Sequence, residues 1–473
     1  MILKKSLTLC VIPLIILTTM VSADELREKI ENLSLENALE LVKKDNLELK
    51  IAKFTEEMKE YEAKVARGHA YGKADVTFQA IRSNSAGNVF GFKLESREAD
   101  FGDFGAEEFM NNFGACQQGV LSACNDMYSK APKNLNNPEV RNHFQTKLSY
   151  MMPVYTGGKL NQYRNITNAL HMMSRLDTSK LLNEKLFQTT KTFYDISLVE
   201  EYITNLSNIV TNIEQLQEIV GAMREEGFAK EIDELEVRAR KSEVESMLSQ
   251  AGFNKKLAYQ YLSFLLNSEV ASIQNVDKMA EIPNVIKEEV QENNLDIRKA
   301  KLGLEITDMA IKVQESNLLP EVGAFGEYSS ADDNPFNKFF AKDSYTIGIQ
   351  AKWNLFNGNI DKNNLERAKI ENMKVYEQVN LAKKGIYLKV EKTLTEIKSK
   401  DADIRSLETQ LEFANKVYET YQAQYKEGIS SISDVLIKQS KELEVLLKLL
   451  TAKNERNTKV FELDSIIDRG EEI

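Results

Sequence analysis

The chain is written twice. The run Pro153-Val154-Tyr155-Thr156-Gly157-Gly158 returns as Asn354-Leu355-Phe356-Asn357-Gly358-Asn359, 201 residues later. Glu226-Gly227-Phe228-Ala229-Lys230-Glu231-Ile232-Asp233 returns at the same offset as Glu427-Gly428-Ile429-Ser430-Ser431-Ile432-Ser433-Asp434. Nearer the front, Asn46-Leu47-Glu48-Leu49 returns as Asn294-Leu295-Asp296-Ile297 at an offset of 248, so the first copy carries 47 residues that the second lacks. Each copy reads helix, strand, strand, long helix, helix. Self-similarity on this scale restricts the chain to architectures that use one unit twice. The expected organisation is a signal over 1–23, a first repeat over 24–281 and a second over 282–473.

The long helices follow from what is missing. No proline occurs from 154 to 282, or after 335, so the strongest helix breaker is absent from both stretches. Leu206, Ile209, Ile213, Leu216, Val220 and Met223 are spaced by alternating threes and fours, as are Leu407, Leu411, Ala414, Tyr418, Tyr421 and Tyr425. After Gly428 the row Leu436, Gln439, Leu443, Leu446, Leu450 keeps the same seam. Such spacing marks helices packed side by side as in coiled coils. The first long helix is expected from Lys159 to about Glu226, roughly 100 Å at 1.5 Å per residue. Gly227 and Gly428 then break each long helix at equivalent places, which predicts two helical hairpins.

Between the helices lies strand chemistry. Phe144, Thr146, Leu148, Tyr150 and Met152 alternate with Gln145, Lys147, Ser149 and Met151; Tyr345, Ile347, Ile349, Ala351 and Trp353 alternate with Thr346, Gly348, Gln350 and Lys352. Stretches 73–82 and 321–330 are the weaker partners. Period-two alternation of this kind fits a membrane β-barrel, with Gln145, Lys147, Gln350 and Lys352 facing a water-filled interior. It equally fits a soluble sheet with one solvated face. Counting narrows the first reading, because a closed membrane barrel needs at least about eight strands. An open sheet edge in lipid leaves backbone groups unpaired. Several chains must then pool their strands, and three chains would supply twelve.

Composition places the chain outside the cytoplasm. Lys4 and Lys5, the apolar run Leu7 to Met20, and Val21-Ser22-Ala23 before Asp24 form a secretory signal. The apolar run is too short for a membrane span, and no later stretch of about 18 apolar residues occurs. A net charge of −11 supplies no basic footprint for nucleic acid. Two cysteines follow the signal, Cys116 and Cys124, both inside the 47-residue excess. In an exported chain they read as a local disulfide, or as two buried thiols. His69, His143 and His171 lack metal-ligand spacing, and no phosphate loop or nucleophile motif occurs. No metal, cofactor or enzymatic activity is expected.

Three further segments carry a resemblance: Leu33-Ser34-Leu35-Glu36-Asn37-Ala38-Leu39-Glu40-Leu41 as an opening helix, the aromatic-and-glycine strand endings, and Tyr425-Lys426-Glu427-Gly428 followed by Ser433-Asp434-Val435-Leu436. In order and spacing the chain resembles the TolC-like outer-membrane factors from about Leu33 to Asp468. The resemblance implies a mainly α fold with membrane β structure. Four strands per protomer would be pooled into a 12-stranded barrel in a homotrimer, continued by a long-helix periplasmic tunnel. It implies a passive outer-membrane exit duct of a tripartite efflux pump or type I secretion system, held in outer-membrane lipid. Docking of a periplasmic adaptor and an inner-membrane transporter at the Gly227 and Gly428 turns would open it. A soluble periplasmic coiled-coil adaptor or scaffold protein is the alternative.

By the same resemblance Asp233 hydrogen-bonds to Tyr425 at a gate, and Asp434 belongs to an acidic constriction that attracts cations. Read alone, an Asp after a Gly turn caps a helix and a Tyr near a helix end packs on its neighbour. Ser430 and Ile437 depart from the family, standing where its best-known member has a linking arginine and a second constriction aspartate. Segment 99–140, with Phe101, Phe104, Phe109 and Phe113, is expected on the extracellular side, either folded over the mouth and pinned by Cys116–Cys124 or as a mobile surface loop.

Overall fold

The repeat in the sequence returns as pairs of helices of equal length in a computed structural model, which describes residues 29–276, 278–335 and 341–467. The expected signal, residues 1–23, lies outside the described residues. In the first copy α1 (Leu35–Asp45) and α2 (Leu47–Gly68) lead to β1 (Lys73–Ser83). Short helices α3 (Ala86–Glu95), α4 (Ala106–Gln117), α5 (Leu121–Asp126) and α6 (Lys133–Asn136) follow. Then come β2 (Arg141–Tyr155), α7 (Lys159–Glu225) and α8 (Glu231–Leu266). The second copy runs α9 (Lys287–Asn293), α10 (Leu295–Ser316), β3 (Glu321–Asp332), β4 (Asp343–Lys352), α11 (Ile360–Lys426) and α12 (Ile432–Ile467). Helices α2 and α10 have 22 residues each, α7 and α11 have 67, and α8 and α12 have 36.

The copies are not separate bodies. The chain divides into two compact units, one from residues up to 50, 182–284 and 391–465, the other from 51–181, 285–390 and 466 onward. Each unit therefore takes segments from both copies, and α7 and α11 contribute to both units.

In the second unit the four strands form one antiparallel sheet in the order β1-β2-β3-β4. Val76 pairs with Leu148, Leu148 with Tyr328, and Tyr328 with Tyr345. Thr77 pairs with Lys147, Lys147 with Ser329, and Ser329 with Ser344. Because paired residues share a face and neighbours in sequence do not, each row of the sheet has one character. One face carries Val76, Phe78, Leu148, Tyr150, Tyr345, Ile347 and Ile349, all exposed. The other carries Thr77, Gln79, Gln145, Lys147, Glu327 and Gln350, with Lys147 paired to Glu327 at 2.7 Å. Met151 and Phe325 are among its apolar residues, the Phe325 ring occupying the space a Cβ on Gly348 would need. The connection from β1 to β2, residues 84–140, is 47 residues longer than that from β3 to β4, residues 333–342. The excess read from the repeat offsets therefore sits at one end of the strands, between β1 and β2.

The first unit is held by the expected seams. Leu206, Ile213, Leu216 and Val220 of α7 pack with Val237 and Val244 of α8, Tyr418 and Tyr425 of α11, and Val435, Leu436 and Leu443 of α12. Each fully buried aliphatic of this kind stabilises the bundle by about 1.5–3 kcal/mol. The duplication extends to ion pairs: Lys255–Glu200 at 2.8 Å in the first copy is matched 201 residues on by Arg456–Asp401 at 3.0 Å.

Asn46 and Asn294, noted in the sequence only as repeat markers, have a structural task. Asn46 lies between α1 and α2; its Oδ1 accepts from the Leu49 amide at 3.0 Å and its Nδ2 donates to the Leu265 carbonyl at 2.8 Å. Asn294 accepts from the Asp296 and Ile297 amides at 3.1 and 3.2 Å and donates to the Ile466 carbonyl at 2.9 Å. One buried amide thus starts a helix and ties it to the last turn of the return helix of its hairpin.

Candidate functional site

The residues that sequence reasoning singled out fall in three places: the polar face of the sheet, the two hairpin turns, and the long β1–β2 connection. At the turns, Gly227 and Gly428 adopt φ of 84° and 74°, a left-handed conformation that costs other residues about 1–2 kcal/mol. In each turn the next amide reaches back to close the helix, Phe228 to the Met223 carbonyl at 2.7 Å and Ile429 to the Gln424 carbonyl at 2.8 Å. This is the Schellman ending. It leaves Phe228 and Ile429, the residues after each glycine, 80% and 74% exposed.

Both aspartates begin the helix that follows. Asp233 accepts from the Lys230 amide at 2.8 Å. Asp434 accepts from the Ser431 amide at 3.3 Å while its own amide donates to the Ser431 hydroxyl at 3.1 Å, a capping box, and that hydroxyl also donates to the carboxylate at 2.6 Å. The Ser431 hydroxyl and amide hold the exposed Asp434 carboxyl below its ordinary pKa. A depressed folded value means that this contribution is present at neutral pH and is lost as acid protonates the group.

Tyr425 is buried, and no hydrogen-bond partner reaches its hydroxyl. Within the protomer Asp233 Oδ2 is taken up by the start of α8, and its other oxygen makes no bond to the Tyr425 hydroxyl. Burial first, and the Asp233 charge second, push the Tyr425 phenol above its ordinary value. The equivalent position in the first copy, Arg224, instead forms an ion pair with Glu234, whose own counterpart is Val435. A charged pair in one hairpin is thus replaced by apolar packing in the other. Ser430 donates to the Tyr421 carbonyl at 3.2 Å, and Ile437 is exposed.

The long connection is helical rather than a plain loop, and its fold begins at α3, ahead of the expected segment 99–140. Cys116 and Cys124 are joined as a disulfide between α4 and α5, with Cα atoms 4.8 Å apart. Phe90 meets Phe104 edge-on at 5.6 Å, and Phe109 lies 5.8 Å from Tyr128; Phe101 is exposed. Helix α3 lies against the polar face of the sheet. The Phe92 ring stacks on His143 at 4.1 Å, and Glu95 accepts from Gln145 at 3.3 Å.

Among the described residues no helix is long and apolar enough to cross a membrane. The sheet is the part with lipid-compatible chemistry, through its exposed apolar face.

Residues 287–468 match the family model described as outer membrane efflux protein. Among solved structures, the CmeC outer membrane channel of Campylobacter jejuni matches with a TM-score of 0.74 at 15% identity, over 92% of this chain and 85% of that one. VceC, an outer membrane protein of Vibrio cholerae, matches at 0.73 and 12% over 93% and 97%. The MtrE outer membrane channel of Neisseria gonorrhoeae, in its open state, matches at 0.72 and 13% over 93% and 91%. No curated protein sequence matches the chain. The TolC-like resemblance and the mainly helical fold with a small antiparallel sheet are thereby borne out. The CmeC and MtrE neighbours are outer membrane channels.

Proposed function

On a chain that carries an outer membrane efflux protein domain and has the fold of outer-membrane channels, we infer that three copies assemble into a passive exit duct of the outer membrane, serving an efflux pump or a type I secretion system. The carrying observation is the sheet: one face apolar and exposed, the other polar, and β1 and β4 each with a single neighbour. Four strands with two open edges satisfy their backbone in lipid only by joining those of other copies. Three copies close a 12-stranded barrel whose polar faces line a water-filled passage. On α2, Ile51, Phe54, Met58, Tyr61 and Val65 form an exposed apolar stripe at helical spacing, suited to a second copy of the chain.

In this reading the hairpin turns are the periplasmic entrance, and exposed Phe228 and Ile429 are its contacts for a periplasmic adaptor that brings the inner-membrane transporter. Asp434, exposed and ionised, would stand in three copies around the entrance and attract cations. Tyr425 donates to the second oxygen of Asp233 when the entrance tightens, a charge-assisted bond that biases it closed. Without a linking arginine at 430 or an aspartate at 437, the entrance is lightly latched.

Outer-membrane fractionation tests the assembly: the mature chain should run there as a trimer that dissociates on heating, and recovery from the soluble periplasm would overturn the duct. Planar-bilayer recording tests the entrance. Asp434→Ala should weaken block by divalent cations on the order of tenfold, since three like charges leave one constriction; unchanged block removes Asp434 from the gate. Tyr425→Phe should raise conductance while leaving the bundle at least as stable as before, because the lost hydroxyl is buried without a partner in the protomer. Unchanged conductance would dismiss the tyrosine latch.

A further inference from the structure

We propose that the helical connection between β1 and β2 is a plug that closes the outer end of the duct from inside, latched to the strand ends through Glu98. The proposal rests on the duct reading, because only in a closed barrel does the polar face of the sheet become a lumen.

The connection folds back onto the sheet at its first helix. Its first helix is applied to the face that carries Lys147, Glu327 and Gln350. His143, on that face, is nearly fully buried beneath the Phe92 ring and pairs with Glu95 at 3.1 Å. Val89 of α3 and Ala331 of β3, also on that face, are both buried. Buried apolar side chains on the polar side of a barrel strand exclude water from part of the passage.

The segment after α3 bolts this arrangement to both hairpins. Glu98 accepts from Arg141, at the start of β2, and from Lys342, just before β4. Lys342 also pairs with Asp332, the last residue of β3, at 2.6 Å. Arg97 donates to the carbonyl of Asp343, and Arg141 donates to Ser96 at 3.0 Å. Four neighbouring residues, Glu95 to Glu98, therefore contact β2 and the start of β4, and Lys342 carries the connection on to β3. Although burial disfavours its charge, the hydrogen bonds from Lys342 and Arg141 hold Glu98 ionised below the ordinary glutamate range. Glu98, Asp332 and Asp333 cluster closely enough to suggest a cation site, but Lys342 and Arg141 already supply the positive charge. The cluster acts as a latch between protein segments. Further out, the disulfide joins α4 to α5, and Phe109 stacks on Phe113 within α4.

Thiol labelling from outside intact cells reads the outer mouth independently of the periplasmic entrance. Lys147→Cys places a thiol on the polar face of the sheet, with the unaltered chain as the background for Cys116 and Cys124. A small impermeant maleimide and a bulky polymer-linked one are applied under non-reducing conditions. With the connection intact, the bulky reagent should label slowly. Glu98→Lys, or replacement of 86–136 by a short Gly-Ser bridge, should speed bulky labelling about tenfold, as expected when roughly 1.4 kcal/mol is removed from a closing equilibrium. Equal bulky labelling with and without the segment overturns the plug. A gain on deletion but none with Glu98→Lys overturns the latch. If the small reagent fails on a heat-stable trimer lacking the segment, the polar face is not a lumen and the duct reading itself falls.

Discussion

Arginine in place of Ile347 is expected to destabilise the assembled protein in lipid by about 2–4 kcal/mol, the cost of a cation on the lipid face near the bilayer midplane. Ile347 lies at the middle of β4 and is 79% exposed on the protomer, paired with Gly326 on the apolar face. In a soluble sheet so exposed a position would accept arginine with a change within about 0.5 kcal/mol. Thr346→Arg is the internal control. Thr346 is next in sequence but on the opposite face, paired with Glu327, so arginine there should face water and a carboxylate at little cost. Urea titration of the trimer in lipid vesicles, read by heat-modifiable migration, measures both. A harmless Ile347→Arg, or a Thr346→Arg that is the worse of the two, would falsify the assignment of faces.

Asn46→Ala and Asn294→Ala are each expected to cost about 2–4 kcal/mol, combining a lost helix cap of about 1 kcal/mol with a buried carbonyl left unpaired at about 1–3 kcal/mol. Both side chains are almost fully buried, so water does not replace the lost donor. The sharper comparison is Asn294→Asp. It keeps an acceptor for the Asp296 and Ile297 amides but sets a carboxylate against the Ile466 carbonyl. If only the cap mattered, Asp would be tolerated; because the bridge to the last turn of α12 matters, Asp should be at least as harmful as Ala. Chemical denaturation of the purified chain, followed by far-ultraviolet circular dichroism, decides between them. Equal stability of Asn294→Asp and the parent would reduce the asparagine to a cap.

Much of the fold was legible because its signals are local. Leu206 to Met223 and Leu407 to Tyr425 state their helices by spacing alone, and 144–152 states its strand by alternation. The hairpin turns were legible from Gly227 and Gly428, since a left-handed ending favours glycine strongly. What escaped was set by distant partners. Asn46 and Asn294 read as neutral polar residues until Leu265 and Ile466 are brought beside them. The β1–β2 connection gives no long periodic run. Its α3 is placed by contacts such as Glu98 with Lys342, which are 244 residues apart. Asp233 allowed two local readings, a cap or a latch, and only the folded turn shows its oxygen on the Lys230 amide.

The sequence by itself determined the unit, its duplication and the place of the excess, because periodicity, proline and glycine act within a few residues. Only the tertiary structure decided which side of the sheet α3 covers, and how the two copies share their compact units. A strand register converts alternation into faces, and charges far apart in sequence have no effect on one another until folding brings them into contact.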